Sequence, residues 1–455
     1  MWRCALPPLL RYPTVDELAA HAASLVARRP RDARLRRVGT SRAGTPLWLL
    51  SVGHGSRQAL VVAGPHANEP VGGATALRLA ERALADPRLR EGADVTWNLL
   101  LCLDPDGARR NEAWLRGPYT LGNYFRHFFR PGFLEQPEWL PEGPAGATLP
   151  ETRALLDLQD ELRPFLQCSL HGVDVGGAFV ELTRELPGIS QRVARTATRL
   201  GIPRELGPYD TLYWPRLGPA VYRIPPPRRG DLAAAITEAA VESTWFHPQP
   251  YGTVTAVVEA PMWGVTAVED PTRPADADAA LRTVSHTLRR DTRLLEGILA
   301  RVRPVLGRGP DVARLLAPVD DYLLVGPGLA DSWDPDLRHC EARPLPPLDI
   351  ARLTTLRLAG RRVALRTAGL LHQVVTGSGH DPRGALPELD RLIDEWCADY
   401  HDGCGARWIP VGRQVEYQAR VVLATFELAV HGARVHSRSG ESGWGSQAAM
   451  PMHRE

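Results

Sequence analysis

Through the first 270 residues, short apolar runs alternate with stretches of helical spacing. Residues 47–53 (LWLLSVG) and 59–64 (ALVVAG) are apolar and end in glycine, which predicts buried strands. A helical signal follows the second, opening at Pro70 and carrying Ala74, Leu77, Leu79 and Ala80. Proline suits a first helical turn, where its missing N–H costs nothing. Residues 95–103 (VTWNLLLCL) form a third predicted strand, stopped by the turn sequence Asp104-Pro105-Asp106-Gly107. Residues 165–170 and 254–258 read as two more. Strands separated by helices predict an α/β fold, a mixed β-sheet flanked by helices. Ligands in such folds gather beyond the carboxyl ends of the strands. His66, Asp106, His171 and Glu259 are each predicted at such an end.

Beyond residue 271 the pattern changes. Leu281, Val284, Leu288, Leu295, Ile298 and Val302 have helical spacing. Amphipathic helices are predicted around residues 353–375, 386–396 and 415–430. This divides the chain into a catalytic region over 1–307, a mostly helical C-terminal region over 308–435 and a polar, disordered tail over 436–455.

Composition narrows the class. Hydrophobic residues make up 44% and charged residues 23%, enough apolar material for a large core. The net charge of +2 gives no nucleic-acid surface and no polybasic membrane patch. Every basic residue is arginine, and these are scattered along the chain, as GC-rich coding produces. No run reaches the roughly 18–20 apolar residues of a membrane span. The N-terminus lacks a long apolar leader, so a cytoplasmic location is expected. The six cysteines form no CxxC pair and read as free thiols. A homo-oligomer is compatible with all of this.

Of the 14 histidines, only His66 has a glutamate three residues on, in Gly64-Pro65-His66-Ala67-Asn68-Glu69-Pro70. Imidazole and carboxylate at this spacing on a strand-to-helix loop can turn toward one zinc ion. Alone the pair is as readily a surface loop. His171 after its apolar run, and Glu259 in Val257-Val258-Glu259-Ala260, supply a second imidazole and a carboxylate that is costly to bury unpartnered.

These residues carry a family resemblance. Residues 12–18 (YPTVDEL) and 39–47 (GTSRAGTPL) resemble the start of a zinc carboxypeptidase of the M14 type. The resemblance extends over roughly residues 11–305. It implies one zinc per chain on His66, Glu69 and His171, with Glu259 as general base. Residues 106–111 (DGARRN) resemble the segment whose arginine polarises the scissile carbonyl, which implies that role for Arg109, with Arg110 beside it. Residues 123–126 (NYFR) resemble the segment that binds the substrate carboxylate, which implies Arg126. The chain departs from the family at Phe125, where an asparagine is usual, and at Asn123, where an aspartate usually supports a zinc histidine. The implied function is a zinc-dependent hydrolase cutting an amide next to a carboxylate-bearing residue. A metallocarboxypeptidase acting on a peptide or a carrier-like protein is the first expectation. A deacylase of small N-acyl amino acids, similar to aspartoacylase or succinylglutamate desuccinylase, is the second. A metal-free binding protein is the third.

Overall fold

The computed structural model describes residues 9–140, 148–227, 242–337, 345–379 and 381–440. Its centre is a mixed ten-stranded sheet. The strands are β1 (Ala33–Thr40), β2 (Pro46–Val52), β3 (Arg57–Ala63), β4 (Val95–Leu100), β5 (Leu166–Gly176), β6 (Phe179–Leu182), β7 (Arg216–Gly218), β8 (Val221–Arg223), β9 (Val254–Gly264) and β10 (Arg407–Trp408). They lie in the order β1-β2-β4-β3-β5-β9-β6-β8-β7, and β10 extends the far end of β9. The inner strands β4, β3, β5 and β9 run parallel, and antiparallel neighbours flank them on both sides.

The strands expected from the apolar runs are all present. β4 and β5 are buried along their whole length, and β3 over its last five residues, because helices cover both faces. The helices are α1 (Val15–Arg28), α2 (Val71–Ala85), α3 (Pro105–Arg110), α4 (Leu121–Arg126), α5 (Pro150–Leu162), α6 (Ile189–Leu200), α7 (Ala277–Val302), α8 (Pro310–Trp333), α9 (Ile350–Gly377), α10 (Ala385–Ala398) and α11 (Val411–Gly440). On one face, Val61, Leu99 and Val258 pack with α1, α2, α6 and α11. On the other, Leu60, Val62 and Leu100 pack with Leu155 and Leu158 of α5. A third cluster joins Leu295 and Ile298 of α7, Val319 of α8, Leu365 of α9 and Trp263 of β9. That cluster crosses residue 307, so the C-terminal helices share a core with the sheet. The tail expected from 436 begins inside α11, and residues 441–455 lie outside the described ones.

Two contacts fix how the last helices sit. Gly369 of α9 passes so close to α4 that a Cβ there would stand 1.9 Å from Phe125 O. Gln418 of α11 is fully buried and donates to His171 O (2.6 Å) and Val258 O (3.0 Å), while Thr75 donates to its oxygen (2.8 Å). No helix among the described residues is long and apolar enough to cross a membrane. Cys102, Cys168, Cys397 and Cys404 are free thiols, and Cys4 and Cys340 lie outside the described residues.

Gln418→Leu is expected to lower unfolding stability by about 1–3 kcal/mol, the cost of orphaning buried polar groups. Urea unfolding of the two proteins measures this. An unchanged midpoint would show that the amide holds nothing together.

Candidate metal centre and its cavity

The first two ligand-type residues sit on the loop after β3. Gly64 has a φ of +59°, and a Cβ there would meet Cys102 Sγ at 3.0 Å. Glycine thus permits the sharp exit from β3. The loop is then held from several directions. Asn111 donates to Ala67 O (3.1 Å). Asn68 donates to Tyr124 Oη (3.1 Å) and Asp174 Oδ1 (3.2 Å), and Arg366 of α9 donates to Asp174 Oδ2 (2.8 Å).

His66 and Glu69 thereby meet His171 of β5. All three are buried, and one potential ligand atom from each lies within 4.8 Å of the others. His66 Nδ1 is 3.1 Å from both oxygens of Glu69 and 3.1 Å from His171 Nδ1. His171 Nδ1 is 3.4 Å from Glu69 Oε2. Atoms bound to one tetrahedral zinc at about 2.0–2.2 Å stand roughly 3.3–3.6 Å apart.

The far ring nitrogens face Glu138. His171 Nε2 is 3.2 Å from its Oε1, and His66 Nε2 is 3.5 Å from its Oε2. Ser169 (3.0 Å) and the Trp245 indole also donate to Glu138 Oε1. An ionised carboxylate can only accept, so this arrangement places a ring proton on His171 Nε2, while His66 Nε2 has no hydrogen-bond partner among the described residues. The two Nδ1 atoms and the Glu69 carboxylate converge on one point. A cation satisfies such a set, and two imidazoles with a carboxylate suit zinc.

The electrostatics agree. Burial, with Arg130 nearby, pushes the His66 imidazole down to about 4. For His171, burial opposes charge, but Glu138, Glu69 and Glu259 together drive its pKa well above the ordinary value. The surroundings therefore favour positive charge at this point. Glu69 also accepts from Gly172 N–H (3.0 Å) and Arg130 (3.2 Å).

Glu259 stands directly across from His171 in the β5–β9 register. Its Oε1 is 3.7 Å from His171 Nδ1, and its buried Oε2 has no hydrogen-bond partner among the described residues. Burial, with Glu69, Glu181 and Asp210 adding to it against the pull of His171, pushes its carboxyl well above the usual range. Both residues lie inside long strands, which corrects the expectation that they stand at strand ends. The Gly172 and Gly176 positions hid the continuation of β5 through residues 171–176, which pairs with β9 as far as Gly264.

These groups open on a cavity of about 210 Å³. Its floor includes Trp139, Trp214 and Trp245, and α8 and α9 roof it with Tyr322 and Val363. Arg130, Arg362 and Arg366 reach its wall.

Residues 18–176 match the zinc carboxypeptidase family. The matched stretch contains His66, Glu69 and His171, and Glu259 follows it. Among solved structures, the chain is similar to a metallo-carboxypeptidase from Burkholderia cenocepacia (17% identity, 55% of this chain, 60% of that one, TM-score 0.34). It is also similar to the carboxypeptidase A from Helicoverpa armigera (15% identity, 55% of this chain, 65% of that one, TM-score 0.36). The chain thus spans less than two thirds of the length of either protein. No curated protein matches it.

The arginines implied by the zinc carboxypeptidase resemblance are placed elsewhere. Arg109 is exposed and pairs with Asp16 through both terminal nitrogens (2.6 and 3.1 Å). Arg110 pairs with Asp311 of α8. Arg126 ties α4 to α10 through Asp390 and Asp394, each at 2.9 Å. Asn123 donates to Pro118 O (3.0 Å). None of the four lines the cavity, because acids on neighbouring helices draw each of the arginines away from it. The groups that do line it without having been anticipated are Arg130, Arg362, Arg366 and Glu181, with Glu138 behind the histidines. Arg362 and Arg366 interrupt the apolar faces of α9, and that is the one sequence signal they leave. Glu138 and Arg130 lie in irregular chain with no pattern to announce them.

Removing the acceptor behind the ligands is expected to weaken the metal site. Glu138→Gln should lower metal affinity roughly 10- to 100-fold, as is usual for partners of ligating histidines. Chelator competition on the wild type and the variant reads this. Equal affinities would mean that Glu138 plays no part in orienting the rings.

Proposed function

We propose that this protein is a zinc-dependent amide hydrolase of carboxypeptidase type, releasing a carboxylate-bearing residue from a peptide or a carrier-like protein. The observation that carries this reading is the Glu259 carboxyl, its Oε2 without a hydrogen bond, beside the His66–Glu69–His171 cluster on one cavity. One zinc ion per chain, held by those three residues, would supply an activated water and a Lewis acid for the carbonyl oxygen.

The chain's own groups account for the remaining steps. Glu259 accepts the proton from the attacking water and passes it to the leaving nitrogen. Its raised proton affinity suits that exchange. Arg130, anchored by Gln136 (2.9 and 3.1 Å) beside Glu69, places a fixed positive charge where the oxyanion develops. Arg362 of α9 has no acidic partner within ion-pair distance among the described residues, and its Nε is buried without a hydrogen bond. It takes the role expected of Arg126, binding the substrate carboxylate. Arg366 is neutralised by Asp174 and keeps the loop in place instead.

A second reading has one observation in its favour. The cavity is smaller than the roughly 300–1,000 Å³ typical of sites for drug-sized ligands, which also suits a small N-acyl amino acid. A panel of blocked dipeptides and N-acyl amino acids separates the two by which set is turned over.

Glu259→Gln should cost about 10²- to 10⁴-fold in kcat while zinc remains bound. Loss of metal together with activity would assign Glu259 to ligation instead. Arg362→Ala should raise KM, with a loss of roughly 2–5 kcal/mol in kcat/KM for a carboxylate substrate. Amidating that substrate should reproduce the loss in wild type and add little in the variant. Independent, additive losses would exclude Arg362 as the carboxylate partner.

A further inference from the structure

A second cavity, of about 140 Å³, shares no lining residue with the one at the metal centre. The segment 129–136 stands between them. Arg130, Phe133 and Gln136 turn to the metal centre, and Phe129, Pro131 and Glu135 to the second cavity. Arg42, Arg110 and Arg314 line this second space, with Asp104 and Asp106. Some of these charges are fully answered. Asp106 accepts from Ser41 (2.7 Å), Thr45 (2.9 Å) and the Ala43 N–H (2.9 Å). Arg110 pairs with Asp311.

Asp104 is different. It is 1% exposed, and its Oδ1 accepts from the Gly107 N–H (2.9 Å) at the start of α3, but its Oδ2 has no hydrogen-bond partner among the described residues. A Cβ at position 107 would collide with that oxygen, so glycine there leaves room beside it. Burial pushes the carboxyl up to about 7, against the pull of the Gly107 N–H and Arg42, with Glu151 and Asp106 adding to it. Two of the arginines are held loosely. Arg42 Nη1 is 3.7 Å from Glu135 Oε2 and its Nε 3.5 Å from Glu151 Oε1, while Arg314 stands 3.8 Å from Asp311. These separations leave donors on both guanidinium groups for a further anion.

A buried carboxyl oxygen without a bond calls for a donor. The loosely held guanidinium groups call for an acceptor. The volume sets the size, since a cavity of roughly 150 Å³ holds benzene. A small zwitterion meets all three conditions. We propose that this cavity binds a free α-amino acid of the size of alanine or serine, with its ammonium on Asp104 and its carboxylate between Arg42 and Arg314. The site stands whether or not the metal centre is a hydrolase, because it uses none of that centre's residues.

Calorimetric titration of the full-length protein tests this with alanine, and with alaninamide and propionate, which each lack one of its charges. Alanine is expected to bind roughly 10- to 100-fold more tightly than either, the worth of a hydrogen bond to a charged group. Asp104→Asn keeps an oxygen for the Gly107 N–H but turns an amide N–H toward the ammonium, so it should weaken alanine to a similar extent. Arg314→Gln, in the exposed first turn of α8, should weaken alanine and leave alaninamide unchanged. Arg362→Ala should bind alanine as wild type does, which separates this site from the carboxylate partner at the metal centre. No binding of alanine overturns the proposal. So does binding that both Asp104→Asn and Arg314→Gln leave unchanged, or that Arg362→Ala abolishes. Alaninamide or propionate binding as tightly as alanine would rule out a zwitterion.

Discussion

The parallel pairing of β5 with β9 sets everything at the site. It places His171 opposite Glu259, so a ligand-type imidazole and a free carboxyl share one face of the sheet within 4 Å. Side chains alternate along a strand, so a slip of one residue would send one of them to the opposite face. The register is held beyond the strands themselves. Gln418, on the last helix of the described chain, bonds the carbonyls of His171 and Val258 together from the helix-covered face. A residue nearly 250 positions away from His171 thus braces the register that sets His171 opposite Glu259.

On that frame the electrostatics become a matter of which charges are answered. Glu138 bonds the outward nitrogen of His171 and faces that of His66, and Arg130 and the Gly172 N–H hold Glu69. What remains is a set of acceptors converging on one point, with burial removing water as a partner. Such a cluster offers a cation a set of ligand atoms. The same low-dielectric surroundings, with the neighbouring acids, raise the proton affinity of Glu259. Around this lie the Arg362 guanidinium, which donates to Val175 O (3.4 Å), and the Glu181 carboxyl.

The sequence carried the centre of this picture and missed its rim. Glycine-bounded apolar runs predicted the inner strands, because strands covered on both faces must be apolar throughout. The HxxE spacing of His66 and Glu69 is local and survives in the sequence as a motif. The arginines failed because which one reaches a cavity depends on tertiary pairing. Arg109 and Arg126 sit in segments that resemble the family, yet Asp16, Asp390 and Asp394 claim them. Arg362 reaches the cavity from a helix far outside the matched residues, and no spacing connects it with His66. Glu138 stands in irregular chain, where neither period nor turn chemistry marks a residue. Strands of two or three residues such as β7, β8 and β10 are too brief to leave a pattern.

The central claim is that the two inward Nδ1 atoms and the Glu69 carboxylate together hold a zinc ion. Zinc K-edge absorption on the zinc-loaded protein addresses this directly. The account predicts a shell of nitrogen and oxygen at about 2.0–2.2 Å containing two imidazoles, with no sulfur, and loss of one imidazole in His66→Ala. A shell of oxygen alone, or a sulfur ligand at about 2.3 Å, would contradict it.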